Sequence, residues 1–123
     1  MINAVNRKVL IVAPDISSDN LLLYSSQVKH VSNKLDIFPA IYEWNPDVLV
    51  FDSEFMGSDM EKALRRIKGN KFYDNITVCV YKAKKDEKVD SMLIILGVDQ
   101  LVYTELISTF FENIKMYFKR LVL

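Results

Sequence analysis

The sequence of 123 residues contains only one cysteine, three glycines and three prolines. The single cysteine, Cys79, excludes an intramolecular disulfide and a zinc site built from several cysteines. Because glycine and proline mark turns and linkers, their scarcity indicates short connections and no low-complexity segment. These absences, together with the length, predict a single domain over residues 1–123.

Net charge and long apolar runs are also lacking. Sixteen basic side chains balance sixteen acidic ones, so no excess of positive charge favours nucleic acid or an anionic membrane as a partner. The apolar run Val9–Val12 is much shorter than the core of a secretory signal peptide, and no stretch approaches the ~18 apolar residues of a membrane span. We therefore expect a cytoplasmic protein that binds neither nucleic acid nor membrane.

The motifs of common enzyme classes are absent as well. There is no glycine-rich phosphate loop, nucleophile elbow or HExxH motif. His30 is the only histidine, and one histidine without partners makes a weak case for a catalytic triad. We interpret His30 as a surface or helix-end residue, and we expect no catalytic residues and no enzymatic activity.

Half of the residues are nevertheless hydrophobic, and many of them lie in short runs. Such runs, apolar throughout rather than alternating, are typical of parallel strands covered on both faces. Three runs fit this pattern: Val9–Val12, Val48–Phe51 and Ile76–Val80. A fourth strand, Gln100–Tyr103, follows Gly97, a residue suited to ending a helix.

Apolar residues at helical spacing predict helices between and after these strands. The predicted helices are 58–68, 86–96 with Val89, Met92, Leu93 and Leu96 on its apolar face, and 105–121. Ser58 with Glu61 three residues later has the spacing of a capping box.

The region before the third strand allows two interpretations. In the preferred one, a helix over 18–31 precedes a strand at Leu35–Phe38, and Pro39 is the first residue of a short helix. In the other, the first helix ends earlier and Gln27–Val31 is the strand.

Strands that alternate with helices indicate βαβ units and a parallel sheet flanked by helices. Five strands and five helices in this length predict an α/β fold, a doubly wound (βα)5 flavodoxin-like domain with strand order 2-1-3-4-5. In such sheets the chemistry lies at the carboxyl ends of the strands. The residues that follow each strand are therefore the candidate site.

At this point the sequence resembles response-regulator receiver domains, which are CheY-like. The matching segments are KVLIV at Lys8–Val12, PDVLVFD at Pro46–Asp52, and the stretch from ITVCVYK to GVDQLVY. PDVLVFD is the most specific, because a Pro-Asp pair leading an apolar strand into an exposed aspartate is typical of the family. The distances along the chain from Asp52 to Tyr81 and to Thr104 fit the family as well.

The resemblance implies that Asp52 matches the aspartate that accepts a phosphoryl group. In the family, two acidic residues after the first strand help to hold Mg²⁺, and a Thr or Ser and a Lys bind the phosphoryl oxygens. Here Ala13 and Pro14 stand at the acidic pair, Tyr81 at the Thr or Ser position, and Thr104 at the Lys. The sequence therefore resembles a degenerate member, or pseudo-receiver.

These departures leave two functions open for a receiver-like domain, beside a third possibility, an unrelated flavodoxin-like enzyme or ligand-binding domain, for which no phosphate loop that would bind a nucleotide or flavin is present. Leu101 also stands where the family has an aromatic switch residue. The first function is therefore a phosphorylation-independent signalling or protein-interaction module without a cofactor. The alternative is an authentic receiver, phosphorylated on Asp52 in a two-component phosphorelay, with Mg²⁺ held by Asp15, Asp52 and Glu54. In that case a lysine of segment 82–85 replaces the missing ammonium group.

The final predicted helix carries more apolar residues than packing on one sheet face requires. Large exposed apolar patches mark interaction sites, and receiver-like domains commonly associate through their last two helices and the strand between them. We therefore expect a protein partner, with a histidine kinase among the candidates, or self-association through the fourth helix, fifth strand and final helix. The residues assigned to this surface are Phe110, Phe111, Met116, Tyr117 and Phe118.

Overall fold

A five-stranded parallel sheet is the frame of the structure, a computed structural model that describes residues 7–14 and 27–104. The strands are β1 (Lys8–Val12), β2 (Gln27–Val31), β3 (Val48–Asp52), β4 (Thr77–Lys82) and β5 (Gln100–Tyr103). The helices are α1 (Ile37–Trp44), α2 (Ser53–Met56), α3 (Asp59–Lys68) and α4 (Glu87–Ile95), with short 3-10 helices at Lys34–Asp36 and Lys71–Tyr73. The strand order β2-β1-β3-β4-β5 confirms the predicted fold.

The two faces of the sheet form separate apolar clusters, because successive residues of a strand point to opposite faces. In β3, Leu49 and Phe51 pack with residues of all four helices in the first cluster. Val48 and Val50 belong to the second cluster, which joins residues of β1, β3 and β4. Both faces of the central strands are thus buried, which explains why their sequences are apolar throughout.

The preferred interpretation of the region before β3 is wrong, and the alternative strand is confirmed. Gln27–Val31 is β2, which pairs in parallel with β1, while Leu35–Phe38 spans a 3-10 helix and the start of α1. As an edge strand, β2 keeps a polar sequence with Lys29 exposed, a pattern expected where one side lacks a neighbour. Val28 and Val31 are three residues apart, so the same sequence also fitted a helix.

The predicted helices 58–68 and 86–96 agree with α3 and α4 to within one residue at each end. Asp86 caps the amino terminus of α4, where its side chain accepts a hydrogen bond from the Val89 N–H at 3.2 Å. Gly97 follows the end of α4 with φ 104°, a conformation that favours glycine. Ser58 makes no capping bond with its side chain, and the predicted helix 105–121 lies outside the described residues.

None of the helices in residues 7–14 and 27–104 combines the length and the apolar character needed to cross a membrane.

Pro39, which was predicted to begin a helix, is instead the third residue of α1. That position still belongs to the first helical turn, where a missing backbone N–H is tolerated.

Two aspartates that immediately precede a strand join neighbouring strands in the same way. The Asp47 N–H donates to the Lys8 carbonyl at 2.8 Å, and the Asp47 carboxylate accepts from the Lys8 N–H at 2.8 Å. Asp99 repeats this with Val78, at 2.8 and 2.7 Å. The aspartate of the Pro-Asp pair therefore has a structural role at the amino-terminal edge of the sheet.

Replacing either carboxylate is expected to weaken the sheet. Asp47→Ala and Asp99→Ala should each lower the free energy of unfolding by about 1–3 kcal/mol, because each leaves a strand N–H without its charged acceptor. Urea unfolding measures the loss, with Asp74→Ala as the control, since that exposed carboxylate has no side-chain hydrogen bond or ion pair within the described ranges. Losses no larger than that of Asp74→Ala would contradict the assigned role.

Candidate functional site

A cavity of about 430 Å³ opens at the carboxyl ends of β3, β4 and β5. Asp52 pairs with Tyr81 in the sheet register, and Thr104 directly follows β5. Three of the positions singled out in the sequence therefore share one cavity. Its lining residues are Asp52, Ser53, Glu54, Tyr81, Lys82, Ala83, Lys84, Asp86 and Thr104.

Both carboxylate oxygens of Asp52 accept hydrogen bonds. Oδ1 accepts from the backbone N–H groups of Glu54, at 2.9 Å, and Phe55, at 3.1 Å, so Asp52 caps the amino terminus of α2. Oδ2 accepts from the Tyr81 hydroxyl at 3.1 Å. The aspartate that matches the phosphoacceptor is thus bonded within the protein through both oxygens.

The position of Tyr81 follows from strand alternation. Ala13, Asp52 and Tyr81 lie at or beside the carboxyl ends of β1, β3 and β4, on the side of the second apolar cluster, and Tyr81 is only 5% exposed. Burial raises the pKa of the Tyr81 phenol well above its usual value, and the charge of Asp52 and the hydrogen bond to it raise the pKa further. The phenol is therefore a protonated donor to Asp52 at neutral pH.

At the end of β1, the place of the acidic pair is taken by Ala13 and Pro14, whose carbonyl groups both contact His30. Nε2 of His30 lies 2.9 Å from the Ala13 oxygen and 2.7 Å from the Pro14 oxygen. Because a carbonyl oxygen only accepts, Nε2 carries the proton and donates to both. The histidine, interpreted from the sequence as a surface or helix-end residue, lies in β2 and holds this loop.

The described residues do not fit a magnesium site. Mg²⁺ requires near-octahedral oxygen ligands, usually with one or two carboxylates. Within residues 7–14 and 27–104, no group of three or more His, Cys, Asp and Glu side chains is placed to hold a metal ion. Asp52 is already hydrogen-bonded and Glu54 is exposed, while Asp15 lies outside the described residues.

The lysines after β4 do not share one role. Both Lys82 and Lys84 line the cavity, but the Lys82 ammonium lies 2.5 Å from Asp90 Oδ1 and is paired there rather than with Asp52. The Thr104 hydroxyl donates to the Lys82 carbonyl at 3.4 Å. Leu101 is half-buried and packs against the first apolar cluster, where it offers no polar group to the cavity.

A polar cluster that sequence reasoning missed lies on the other face of the sheet. Asp90 Oδ2 accepts from the Tyr103 hydroxyl at 2.6 Å and the Asp86 N–H at 3.2 Å, while Oδ1 contacts Lys82. Burial alone would raise the pKa of Asp90, but the hydrogen bonds from Lys82, Tyr103 and Asp86 and the lysine's charge hold it below its usual value. The bond to Asp90 raises the pKa of Tyr103 to about 12.

The predicted interaction surface is only partly within the described residues. Its final-helix members, Phe110, Phe111, Met116, Tyr117 and Phe118, lie outside them. The part that is described includes α4, which exposes 36–70% of four apolar side chains: Val89, Met92, Ile94 and Ile95.

Several of the solved structures similar to this chain are described as receiver domains. One is the signal receiver domain of a DNA-binding response regulator from Colwellia psychrerythraea, with TM-score 0.78, 21% identity, and coverage of 95% of this chain and 98% of that one. Another is the signal receiver domain of a response regulator from Bermanella marisrubri, with TM-score 0.67, 15% identity, and coverage of 96% of this chain and 99% of that one. A third is the receiver domain of a Pseudomonas aeruginosa sensor histidine kinase, which has magnesium coordinated in its active-site cleft. Its TM-score is 0.68 at 11% identity, and the match covers 95% of this chain and 98% of that one.

Sequence comparisons add nothing to these likenesses, since no protein-family model and no curated protein matches the chain. At identities of 11–21%, the structural likeness shows a shared fold, that of the receiver domain. Function has to be argued from the site itself.

Proposed function

We propose that this chain is an atypical receiver domain that acts as a phosphorylation-independent, cytoplasmic module for signalling or protein interaction. It has no enzymatic activity and requires no cofactor. One observation carries the proposal: the Tyr81 hydroxyl donates to Asp52 Oδ2, while two backbone N–H groups occupy Oδ1.

This hydrogen-bonding pattern opposes phosphoryl transfer to Asp52. A carboxylate attacks phosphorus with an oxygen lone pair, in line with the leaving group, and cations must neutralise the charge that develops. The Tyr81 phenol donates a hydrogen bond to Oδ2, which makes that oxygen a weaker nucleophile. Ala13 and Pro14 provide no carboxylate for a metal ion.

The alternative, an authentic receiver phosphorylated on Asp52, draws support from the cavity. A space of about 430 Å³ lies beside Asp52, and Lys84 contributes to its wall. One structure of similar fold is described with magnesium coordinated in its active-site cleft. For this alternative to hold, Tyr81 has to leave Asp52 Oδ2.

Binding to a partner is assigned to the surface formed by α4 and β5, continuing into the final segment of the chain. Four apolar side chains of α4 are exposed, and β5 is an edge strand of half-buried residues. Apolar side chains beside a strand edge suit a protein partner or a second copy of the chain. A histidine kinase is one such partner.

The decisive experiment follows backbone amide chemical shifts while beryllofluoride or acetyl phosphate is added with Mg²⁺. We expect no saturable shifts at Asp52, Glu54 and Tyr81, because the acceptor oxygens are bonded and the described residues do not fit a metal site. The matched control is Asp52→Asn, which keeps the side-chain shape and removes the acceptor. Shifts centred on Asp52 and lost in Asp52→Asn would overturn the proposal and establish the alternative.

A further inference from the structure

Asp90 is the only charged side chain among the described residues that is buried, with 6% of its surface exposed. It lies on the inner side of α4, on the sheet face opposite the Asp52 side chain. Its two oxygens are bonded to Lys82 at 2.5 Å and Tyr103 at 2.6 Å, and the Asp86 N–H adds a third bond at 3.2 Å. The buried carboxylate is therefore satisfied at both oxygens.

The three side chains of this cluster, Lys82, Asp90 and Tyr103, come from three separate elements: β4, α4 and β5. Lys82 and Tyr103 are the last residues of β4 and β5, and they are register partners in the sheet. Neighbouring residues at the same level of a parallel pair point to the same face. Both side chains consequently reach α4 from below, so the carboxylate of Asp90 connects the helix to two strand ends at once.

The apolar attachment of α4 is comparatively thin. Only Leu93 among its apolar residues is buried within the helix, and Leu96 at its end adds a second contact. By contrast, α3 buries four apolar side chains: Met60, Ala63, Leu64 and Ile67. The polar cluster is therefore a major contact between α4 and the sheet.

We propose that Lys82, Asp90 and Tyr103 form a latch that fixes α4 against β4 and β5 and holds the α4–β5 surface in one binding-competent conformation. Val89 and Met92 lie on the exposed side of the same turns of α4. When Asp90 is held against the strand ends, the positions of these two side chains are therefore fixed as well. This inference rests on the proposed function, because it explains how the interaction surface is kept in place without a phosphoryl group. A buried charge pair of this kind favours one arrangement, since any shift of the helix leaves a charge unpaired.

Amide hydrogen exchange, followed by mass spectrometry on the full chain, tests the latch. Lys82→Met and Asp90→Asn should each accelerate exchange in α4 by about 10-fold or more, since removing one partner leaves the other buried and unsatisfied. The amides of β1 and β3 should still exchange more slowly than those of α4, since their exchange requires unfolding of the whole domain, whose free energy these variants also lower. The matched control is Lys34→Met, which breaks an ion pair between two elements that is 39% and 48% exposed and should leave α4 unchanged.

Tyr103→Phe keeps the ring and removes only the hydroxyl, so it remains informative if the charge variants do not fold. It should accelerate exchange in α4 by a smaller factor, with β1 again exchanging more slowly than α4. Acceleration of α4 no greater than that in Lys34→Met would overturn the latch. Phosphorylation of Asp52 would refute the proposed function separately, because that carboxylate lies on the opposite face and does not enter this exchange measurement.

Discussion

The variant that combines Ala13→Asp, Pro14→Asp, Tyr81→Thr and Thr104→Lys is expected to accept a phosphoryl group at Asp52, which the unchanged chain is not. The two new carboxylates give Mg²⁺ its ligands at the end of β1, and the lysine supplies a cation. Threonine is too short to hold Asp52 as the phenol does, so one carboxylate oxygen becomes available. The four changes together restore what the resemblance to receivers implies is missing.

The reaction with acetyl phosphate shows why the effect should be large. An Asp52 oxygen forms a bond to phosphorus while the bond between phosphorus and the acetyl oxygen breaks, and acetate leaves with the electron pair. Charge on the transferring group must be stabilised, and removing a single such donor typically costs ~10²–10³ in rate. Restoring several of them should therefore change labelling from background to a large fraction of the chains.

Intact-mass spectrometry after incubation with acetyl phosphate and Mg²⁺ measures the labelling, and adding Asp52→Asn to the same variant is its control. Ala13 is fully buried, so Ala13→Asp should destabilise the fold without metal. Mg²⁺ should then raise the melting temperature of the variant, because it binds only the folded state. A folded, Mg²⁺-stabilised variant that stays unlabelled would show that these four positions do not explain the loss of phosphorylation.

The central strands could be predicted because both of their faces are buried, which leaves a continuous apolar run such as Val48–Phe51 as an unambiguous pattern. The edge strand β2 could not, since its exposed side admits polar residues such as Lys29. Its two valines are then spaced as in a helix, and local pattern alone does not separate the two structures. Only the pairing of residues 27–31 with β1 identifies this segment as a strand.

The location of the candidate site could be predicted from spacing, but its hydrogen bonds could not. Asp52 ends β3 as expected, and the register with Tyr81 follows from the parallel sheet. That the phenol would turn towards Asp52 depends on side-chain packing, which the sequence does not specify. Strand alternation does place Lys82 and Tyr81 on opposite faces, so the sequence could have predicted that Lys82 does not pair with Asp52.

The orientation of α4 is where apolar spacing misled. The predicted inner face included Val89 and Met92 along with Leu93, yet these two side chains are 36% and 42% exposed while Asp90 is buried. The helix is rotated because the strand ends below it present an ammonium group and a hydroxyl. A polar pair on the sheet therefore outweighs the apolar pattern of the helix.

Asp90→Asn is expected to lower the free energy of unfolding by about 3–5 kcal/mol, the cost typical of breaking a buried ion pair on one side. The amide that replaces the carboxylate cannot neutralise Lys82, whose side chain is only 11% exposed. Urea unfolding at neutral pH gives the value. Glu61→Gln is the control, because it breaks an ion pair with Arg65 whose side chains are 50% and 66% exposed, worth about 0.3–0.5 kcal/mol.

The stability lost in Asp90→Asn should depend on pH in a defined direction. The pKa of Asp90 is lowered in the folded protein, while in the unfolded chain it lies near ~3.9. The stability from its charged form is therefore fully present above about pH 4 and is lost as the pH falls through the lower, folded pKa. The difference between the unchanged chain and Asp90→Asn should be largest near neutrality and shrink in acid.

An apolar replacement of the whole cluster separates the unpaired charge from the loss of packing. Lys82→Met, Asp90→Leu and Tyr103→Phe together leave no charge or hydroxyl unsatisfied, and such replacements of buried ion pairs are often neutral or stabilising. The triple variant should therefore recover most of the stability that Asp90→Asn loses, measured by the same urea unfolding. If it stays as unstable as Asp90→Asn, the cost arises from the shape of the cluster, and the unpaired ammonium of Lys82 is not its cause.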